Sequence, residues 1–387
     1  MTNNKHIIQT PKESNVYREL MNNWFEIENI EQIDSPALVV YPARIKSNIE
    51  TAKKIINDID RLRPHVKTNK MTEVCLTMLH AGISKFKCAT IAEAEMLALA
   101  GSPDILMAYQ PVGPKINRLI NLMKAYPASH FSCLIDNQVN ASVINNLCRE
   151  QDMVLDVYID LNVGMNRTGI YLTEAYHLVQ TILTLPNLQL AGLHGYDGHI
   201  HEPDVTLRQQ DANITYTMMD SVCREIQQLF PYPLSMVIGG TPPFAAHASQ
   251  TNYECSPGTF VFWDFGYGDK YPDLSFEYAA LLICRTISII DNQHICVDLG
   301  HKSVAAENPF PRVRFLNALE TNPVSQSEEH LVLAVPDSSI YSIGQVFYGV
   351  PKHICPTIAL YEKAFVVENG RTTDTWNVVA RNRCINH

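Results

Sequence analysis

No run of lysine or arginine stands out in this sequence, and its formal net charge is −10. That argues against nucleic acid or an anionic membrane surface as a partner. The opening stretch, MTNNKHIIQTPKESN, has no apolar signal core, so secretion is not indicated. The apolar run YAALLIC (278–284) meets Arg285 long before it could span a bilayer. Ten cysteines are present, but no CxxC pair. In a chain of this length that pattern reads as reduced thiols in a cytoplasm rather than a disulfide framework. Low-complexity segments and short-period repeats are also missing. What remains is 387 residues, 46% hydrophobic and 18% charged, enough for a large core and two domains.

Short β-branched or aromatic runs recur with helical stretches between them. They are RPHVK (63–67), KFKCAT (85–90), DILMAYQ (104–110), FSCLID (131–136), VLDVYIDLNV (154–163), LAGLHGYDG (190–198), MVIGGT (236–241) and YECSPGTF (253–260). IAEAEMLALAG (91–101) reads as a helix that stops at Gly101, and 202–230 as a long helix opening on Pro203 and acidic residues. Eight strands alternating with helices predict an α/β fold, a (β/α)8 TIM barrel over 36–265. The gap from Thr241 to Tyr253 is too short and proline-rich for a full helix, so the helix at 43–59 is expected to fill that place in the outer ring. Beyond residue 265 helical periodicity fades into short strand-like runs, which predict a mostly antiparallel β domain over 266–387. Residues 1–35 form an N-terminal arm free to join that domain, and PALVVY (36–41) can pair with either domain.

In such barrels the chemistry lies at the carboxyl ends of the strands. The first strand ends in Lys67, and His65 shares its face. Later strand ends carry Thr90, Tyr109, Gln110, Asp136 and Arg167, and then His194, Tyr196, His199 and His201. The seventh and eighth run into GGT (239–241) and SPGT (256–259). Either glycine turn alone reads as a plain tight turn. Together, opposite a strand-end lysine, Gly240, Thr241, Gly258 and Thr259 suggest a phosphate site. A lysine facing a phosphate site across a barrel mouth suggests pyridoxal 5'-phosphate, held as a Schiff base and acting as an electron sink. Free lysine titrates near 10.4, so Lys67 needs desolvation or neighbouring cations, for which Arg63 and His65 are the candidates. In the second domain YGVPKHICPTIAL (348–360) holds His353 and Cys355 two residues apart. Imidazole and thiolate together suit a borderline-soft metal, above all zinc, although a packed histidine beside an inert thiol would look the same. Glu328, Glu329 and His330 are either outer support for that metal or a solvated edge. Arg312 and Arg314 read as a surface strand.

DSPALVVY (34–41), RPHVKT (63–68), KFKCATIAEAEML (85–97), GMNRTG (164–169), GGTP (239–242), ECSPGT (254–259), DLGHKS (298–303), SEEHL (327–331) and HICPTIAL (353–360) together resemble the D-threonine aldolase and D-serine dehydratase family of fold-type III pyridoxal phosphate enzymes, related to alanine racemases. The resemblance implies that Lys67 carries the Schiff base and that Gly240, Thr241, Gly258 and Thr259 surround the phosphate. It makes Arg167 the candidate to meet the pyridine nitrogen, and Tyr196 a pocket residue or cofactor contact. It makes His353 and Cys355 the metal pair, with zinc favoured over manganese or magnesium. The implied substrate is a small D-3-hydroxy amino acid, and the implied assembly a homodimer. Cys355 favours dehydration of a D-serine or 3-hydroxyaspartate type of substrate, with Lys67 as the base at the α-proton. The alternatives are aldol cleavage of the D-threonine type, amino-acid racemisation and non-catalytic cofactor carriage. HGYDGHIH departs from the family patterns, and His199 is the candidate acid/base on the substrate's other face.

Overall fold

The computed structural model describes residues 23–250 and 253–387. A short strand, β1 (Ala37–Val40), and a helix, α1 (Pro42–Ile56), precede a run of alternating elements. These are α2 (Thr72–His80), β2 (Lys85–Cys88), α3 (Ile91–Leu99), β3 (Asp104–Met107), α4 (Pro114–Ala125), β4 (His130–Ile135), α5 (Gln138–Glu150), β5 (Leu155–Leu161), α6 (Leu172–Ile182), β6 (Leu188–Gly195), α7 (Val205–Gln227), β7 (Ser235–Ile238), α8 (Phe244–Ala248) and β8 (Glu254–Cys255). Strands β2 to β8 pair in parallel in chain order. The helices stop and start where local chemistry directs. The Thr90 hydroxyl accepts the Glu93 amide to cap α3, and Gly101 follows its end at φ 82°, a left-handed backbone that glycine adopts freely. Asp204 caps α7 by accepting the amides of Thr206 and Leu207.

The stretch expected as the first strand, 63–67, occupies the eighth place in the ring without forming a regular ladder. Arg63 N donates to Cys255 O, Val66 N to Lys87 O and Lys87 N to Pro64 O, each at 2.9 Å. Pro64 has no N–H to give, and the chain turns at once into Lys70 at φ 54°, so the pairing stops after isolated bridges. The barrel is thus a seven-stranded curled sheet closed by an extended segment. Helix α1 packs against the short α8, completing the outer ring where the sequence leaves little room for a helix.

After α9 (Phe265–Lys270) the chain builds its second sheet from β9 (Ala280–Asp291), β10 (His294–Val297), β11 (Val313–Phe315), β12 (Asn322–Gln326), β13 (Leu331–Ala334), β14 (Val346–Pro351), β15 (Lys363–Glu368) and β16 (Arg371–Asn377), with a short helix, α10 (Ile354–Ile358), after β14. The order is β12-β13-β10-β9-β1-β15-β16, with β14 on β9 and β11 on β14. Every pairing is antiparallel except β1 with β15. PALVVY therefore lies in the second sheet, between β9 and β15. The preceding arm packs there too: Phe25, Ile27 and Ile33 are buried, and the Ile27 amide donates to the Tyr348 hydroxyl. Residues 1–22 of the expected arm lie outside the described residues. Among the described residues no helix is long and apolar enough to cross a membrane.

Candidate active site

The barrel lumen is apolar low down, where Leu106, Leu134, Tyr158 and Val237 pack together. Two residues further along their strands the same inward face turns polar, as the period of a strand dictates. Asp160 on β5 accepts His194 Nδ1 at 2.8 Å, Gln110 Nε2 at 2.9 Å and the Thr168 hydroxyl at 2.9 Å. Gln110 also donates to Asp136, which takes the Gly169 amide as well. Burial works against the Asp160 charge, but His194, Thr168 and Gln110 outweigh it and hold its pKa below the usual carboxylate range. The expected strand-end residues Gln110, Asp136 and His194 thus form one network tying the GMNRTG loop to the strand ends.

Above this floor stand Lys67, Arg167 and Tyr196. The Lys67 ammonium lies 5.7 Å from the centre of the Tyr196 ring and the Arg167 guanidinium 4.9 Å from it. His65 Nδ1 accepts the Lys67 amide at 3.3 Å. Burial, Lys67 and Lys87 push the His65 pKa well below its ordinary value, so this histidine is neutral and carries its proton on Nε2. Arg63 is not part of this group. It is fully buried at the amino ends of the strands, where it meets Glu254 at 2.5 Å and Asp104 at 2.6 Å, so it cannot serve as the neighbouring cation expected for Lys67.

The two glycine loops come together. Thr241 Oγ1 accepts the amides of Gly258 and Thr259 at 3.0 and 3.1 Å, which leaves its own hydroxyl proton to give. Gly258 runs against the His65 backbone so closely that a Cβ would stand 2.9 Å from His65 O. At Gly240 a Cβ would stand 3.1 Å from the Tyr196 ring. His199 is exposed. Its ring lies against Gly164, the first residue of the loop that carries Arg167.

The HxC segment reaches this mouth from the second sheet. Cys355 Sγ is 3.1 Å from the hydroxyl of Thr68, the residue after Lys67, and 3.5 Å from that of Thr259. Burial opposes the thiolate, but a hydrogen bond from His353 and the charge of Lys67 outweigh it and lower the Cys355 pKa. Burial likewise opposes the imidazolium, yet Cys355, Asp264 and Glu307 raise the His353 pKa to about 9. His353 Nδ1 donates to Glu307 Oε1 at 2.6 Å, which directs Nε2 the other way. Asp264, next to the end of the barrel, holds the loop in place by accepting the Ile354 amide at 3.0 Å. Sequence reasoning missed Glu307, Asp264 and Lys87. Glu328 and Glu329 instead pair with Lys302 on an exposed face, and Arg314 pairs with Asp269.

These residues fit pyridoxal phosphate. A lysine amine stands at one end, two joined loops with a free hydroxyl proton at the other, and an aromatic ring between. Beside them, among the described residues, the buried Ser256 hydroxyl has no partner. Among the described residues no three His, Cys, Asp or Glu side chains cluster as a metal site. His353 and Cys355 offer two soft-to-borderline donors, with a carboxylate on the far ring nitrogen as metal-ligating histidines commonly have. That donor set fits a divalent metal with open positions.

Fold and site together define a barrel protein of the alanine racemase type, with a lysine at the barrel mouth. Residues 40–263 match the family model "Alanine racemase, N-terminal domain", and residues 279–367 match "Putative serine dehydratase domain". The chain belongs to the alanine racemase N-terminal domain family, with the serine dehydratase domain following. D-threonine aldolase of Arthrobacter sp is 27% identical over 361 residues, which cover 91% of this chain and 94% of that one. D-threo-3-hydroxyaspartate dehydratase of Delftia sp. (strain HT23) is 27% identical over 237 residues, 60% of this chain and 62% of the other. The crystal structure of D-threonine aldolase from Filomicrobium marinum superposes with a TM-score of 0.81 at 24% identity, covering 90% of this chain and 96% of that one.

Proposed function

We propose that this protein is a pyridoxal phosphate-dependent, metal-assisted lyase of D-3-hydroxy amino acids that removes the α-proton and the β-hydroxyl, giving a 2-oxo acid and ammonia. One observation carries the reading: Cys355 of the HxC pair sits 3.1 Å from Thr68, the neighbour of Lys67, so the metal pair and the lysine open on one mouth. Bound pyridoxal phosphate supplies the electron sink for a carbanion at the substrate's α-carbon. Lys67 Nζ is the base that takes the α-proton. His353 Nε2 and Cys355 Sγ would hold zinc, which would supply a Lewis acid for the substrate's β-oxygen. Gly240, Thr241, Gly258 and Thr259 hold the phosphate end. Tyr196 provides the face on which the ring rests, and Arg167 approaches that face from the GMNRTG loop. His199, exposed at the rim, is the candidate for giving a proton on the substrate's other face.

A second reading is aldol cleavage to glycine and an aldehyde, favoured by the near full-length match to the Arthrobacter D-threonine aldolase. One experiment separates the two. The protein, loaded with pyridoxal phosphate and zinc, is incubated with D-serine, D-threo-3-hydroxyaspartate and D-threonine, and the products are resolved by mass. Oxo acid with ammonia supports dehydration. Glycine with an aldehyde moves the assignment to the second reading. No product from any of the three sinks the lyase.

A further inference from the structure

Lys87 is a charged residue where the barrel pattern calls for an apolar one. It sits on β2 between Phe86 and Cys88, both fully buried in the main core, and is itself only 2% exposed. Alternation along the strand turns its side chain into the lumen. It crosses to β6, on the facing wall, where Nζ lies 3.4 Å from His194 Nε2. The His194 tautomer is fixed from behind, because Nδ1 gives its proton to Asp160. Nε2 therefore presents a lone pair, and Lys87 is the donor. That uses one of the three N–H groups of the ammonium. Among the described residues no second hydrogen-bond acceptor reaches it, although a buried ammonium is costly to leave underbonded.

The remaining donors are close to where the cofactor has to lie. Lys87 Nζ is 5.9 Å from the centre of the Tyr196 ring, against 5.7 Å for Lys67 Nζ, and the same ring abuts Gly240. A molecule joining Lys67 to the glycine loops passes over that ring. In pyridoxal phosphate the ring nitrogen lies para to the ring carbon that bears the aldehyde Lys67 would hold, so it is the ring atom farthest from Lys67. Lys87 stands one layer deeper in the lumen than Lys67, since its register partner is His65.

We propose that Lys87, fixed by His194 and Asp160, donates a hydrogen bond to the pyridine nitrogen of bound pyridoxal phosphate. The proposal rests on the cofactor reading above. It assigns the nitrogen to a lysine on β2 rather than to Arg167, which reaches Tyr196 from the loop after β5. Both groups are N–H donors, but an ammonium with a lowered pKa shares its proton with that nitrogen more fully than a guanidinium, which keeps its own, and so strengthens the sink more. No bond is made or broken in this contact. The surroundings suit such a donor. Burial and Lys67 lower the Lys87 pKa to about 7, with Arg63 adding to them and Asp197 and Asp160 working against them, so a ring acceptor would be the partner that keeps the proton in place.

The test uses pyridoxal phosphate labelled with nitrogen-15 in the ring, loaded into the wild-type protein, Lys87→Met and Arg167→Met, and reads the nitrogen chemical shift. The expected result is an upfield, hydrogen-bonded shift in the wild type and in Arg167→Met, and a downfield move toward free pyridine in Lys87→Met. Should methionine not be accommodated, Lys87→Leu, which likewise carries no donor, serves the same comparison. An unchanged shift in the Lys87 variant, or a downfield move in Arg167→Met alone, overturns the assignment. A wild-type protein that binds no labelled cofactor overturns the cofactor reading instead, so the two failures are distinct.

Discussion

Glu307→Gln is the sharpest probe of the metal pair, because it changes one charge and leaves the shape of the side chain. In the native protein the Glu307 carboxylate accepts from His353 Nδ1 at 2.6 Å, within the range of a charge-assisted hydrogen bond. The contact does two things: it fixes the imidazole with Nε2 turned outward, and it raises the basicity of that nitrogen. Removing such outer support lowers metal affinity by roughly 10- to 100-fold in known sites. Here the side chains of His353 and Glu307 are 42% and 47% exposed, so water screens the lost charge and the smaller effect applies. Glutamine can still accept from Nδ1, which keeps the ring orientation. The expected change is therefore a zinc Kd about tenfold weaker, or about 1.4 kcal/mol. A competition titration against a chromophoric chelator, at one pH and without added cofactor, measures it. Cys355→Ala in the same assay should lose far more, since it removes a ligand. An unaltered Kd in Glu307→Gln beside a large loss in Cys355→Ala would refute the argument that Glu307 tunes His353. Unaltered affinity in both would remove the metal from this pair altogether.

Three further outcomes follow from the same geometry. Lys67→Ala should fold normally yet lose the visible absorbance of the cofactor-loaded protein, and a retained band would displace Lys67 as the attachment point. Arg63→Met leaves Asp104 unpaired, while Glu254 keeps Lys85 at 2.6 Å, so the cost falls at the lower end for a broken buried pair, about 3 kcal/mol. For a chain of 387 residues that corresponds to a Tm lower by roughly 4 °C, with activity per folded molecule retained; a change below about 1 °C would contradict the burial argument. Lys87 makes apoprotein stability depend on pH. Its folded pKa of about 7 lies below the ordinary 10.5, so the unfolded chain binds the extra proton between those values. The Lys87 contribution to stability therefore rises with pH through that window, by on the order of 1 kcal/mol per unit. From the lower to the higher of two alkaline pH values, the urea midpoint of wild type should rise relative to that of Lys87→Met, and a constant difference would refute it.

Much of the fold could be read from the chain because strand and helix periods are local properties. The alternation from Lys85 onward, the Thr90 cap and Gly101 place β2 and α3 with little help from the tertiary structure. Two features could not be read that way. RPHVK has the composition of a strand, but a ladder needs donors at alternate positions, and Pro64 withholds one while Lys70 turns the chain. PALVVY is an apolar run that any buried sheet would accept. Its place between β9 and β15 is decided by partners more than two hundred residues away.

The site divides along the same line. Lys67, the two glycine loops and His353 with Cys355 announce themselves, because each is a short motif whose chemistry depends on its own spacing. Arg63 misled for a geometric reason. Arg63, His65 and Lys67 alternate, but an extended chain advances about 3.3 Å per residue, so Arg63 and Lys67 are separated by up to about 13 Å along the chain. At one end of that span a cation meets Glu254 and Asp104, and at the other it faces the mouth. Glu307, Asp264 and Lys87 carry no motif at all. Each matters only through a contact made by folding, with His353, the Ile354 amide and His194. For Lys87 the sequence did hold one local signal: a lysine flanked by Phe86 and Cys88 inside a buried strand breaks the apolar pattern. A chain keeps a desolvated ammonium in a barrel lumen only if something there compensates it. His194 supplies a single acceptor, and the space between Lys67 and the glycine loops is where the rest has to come from.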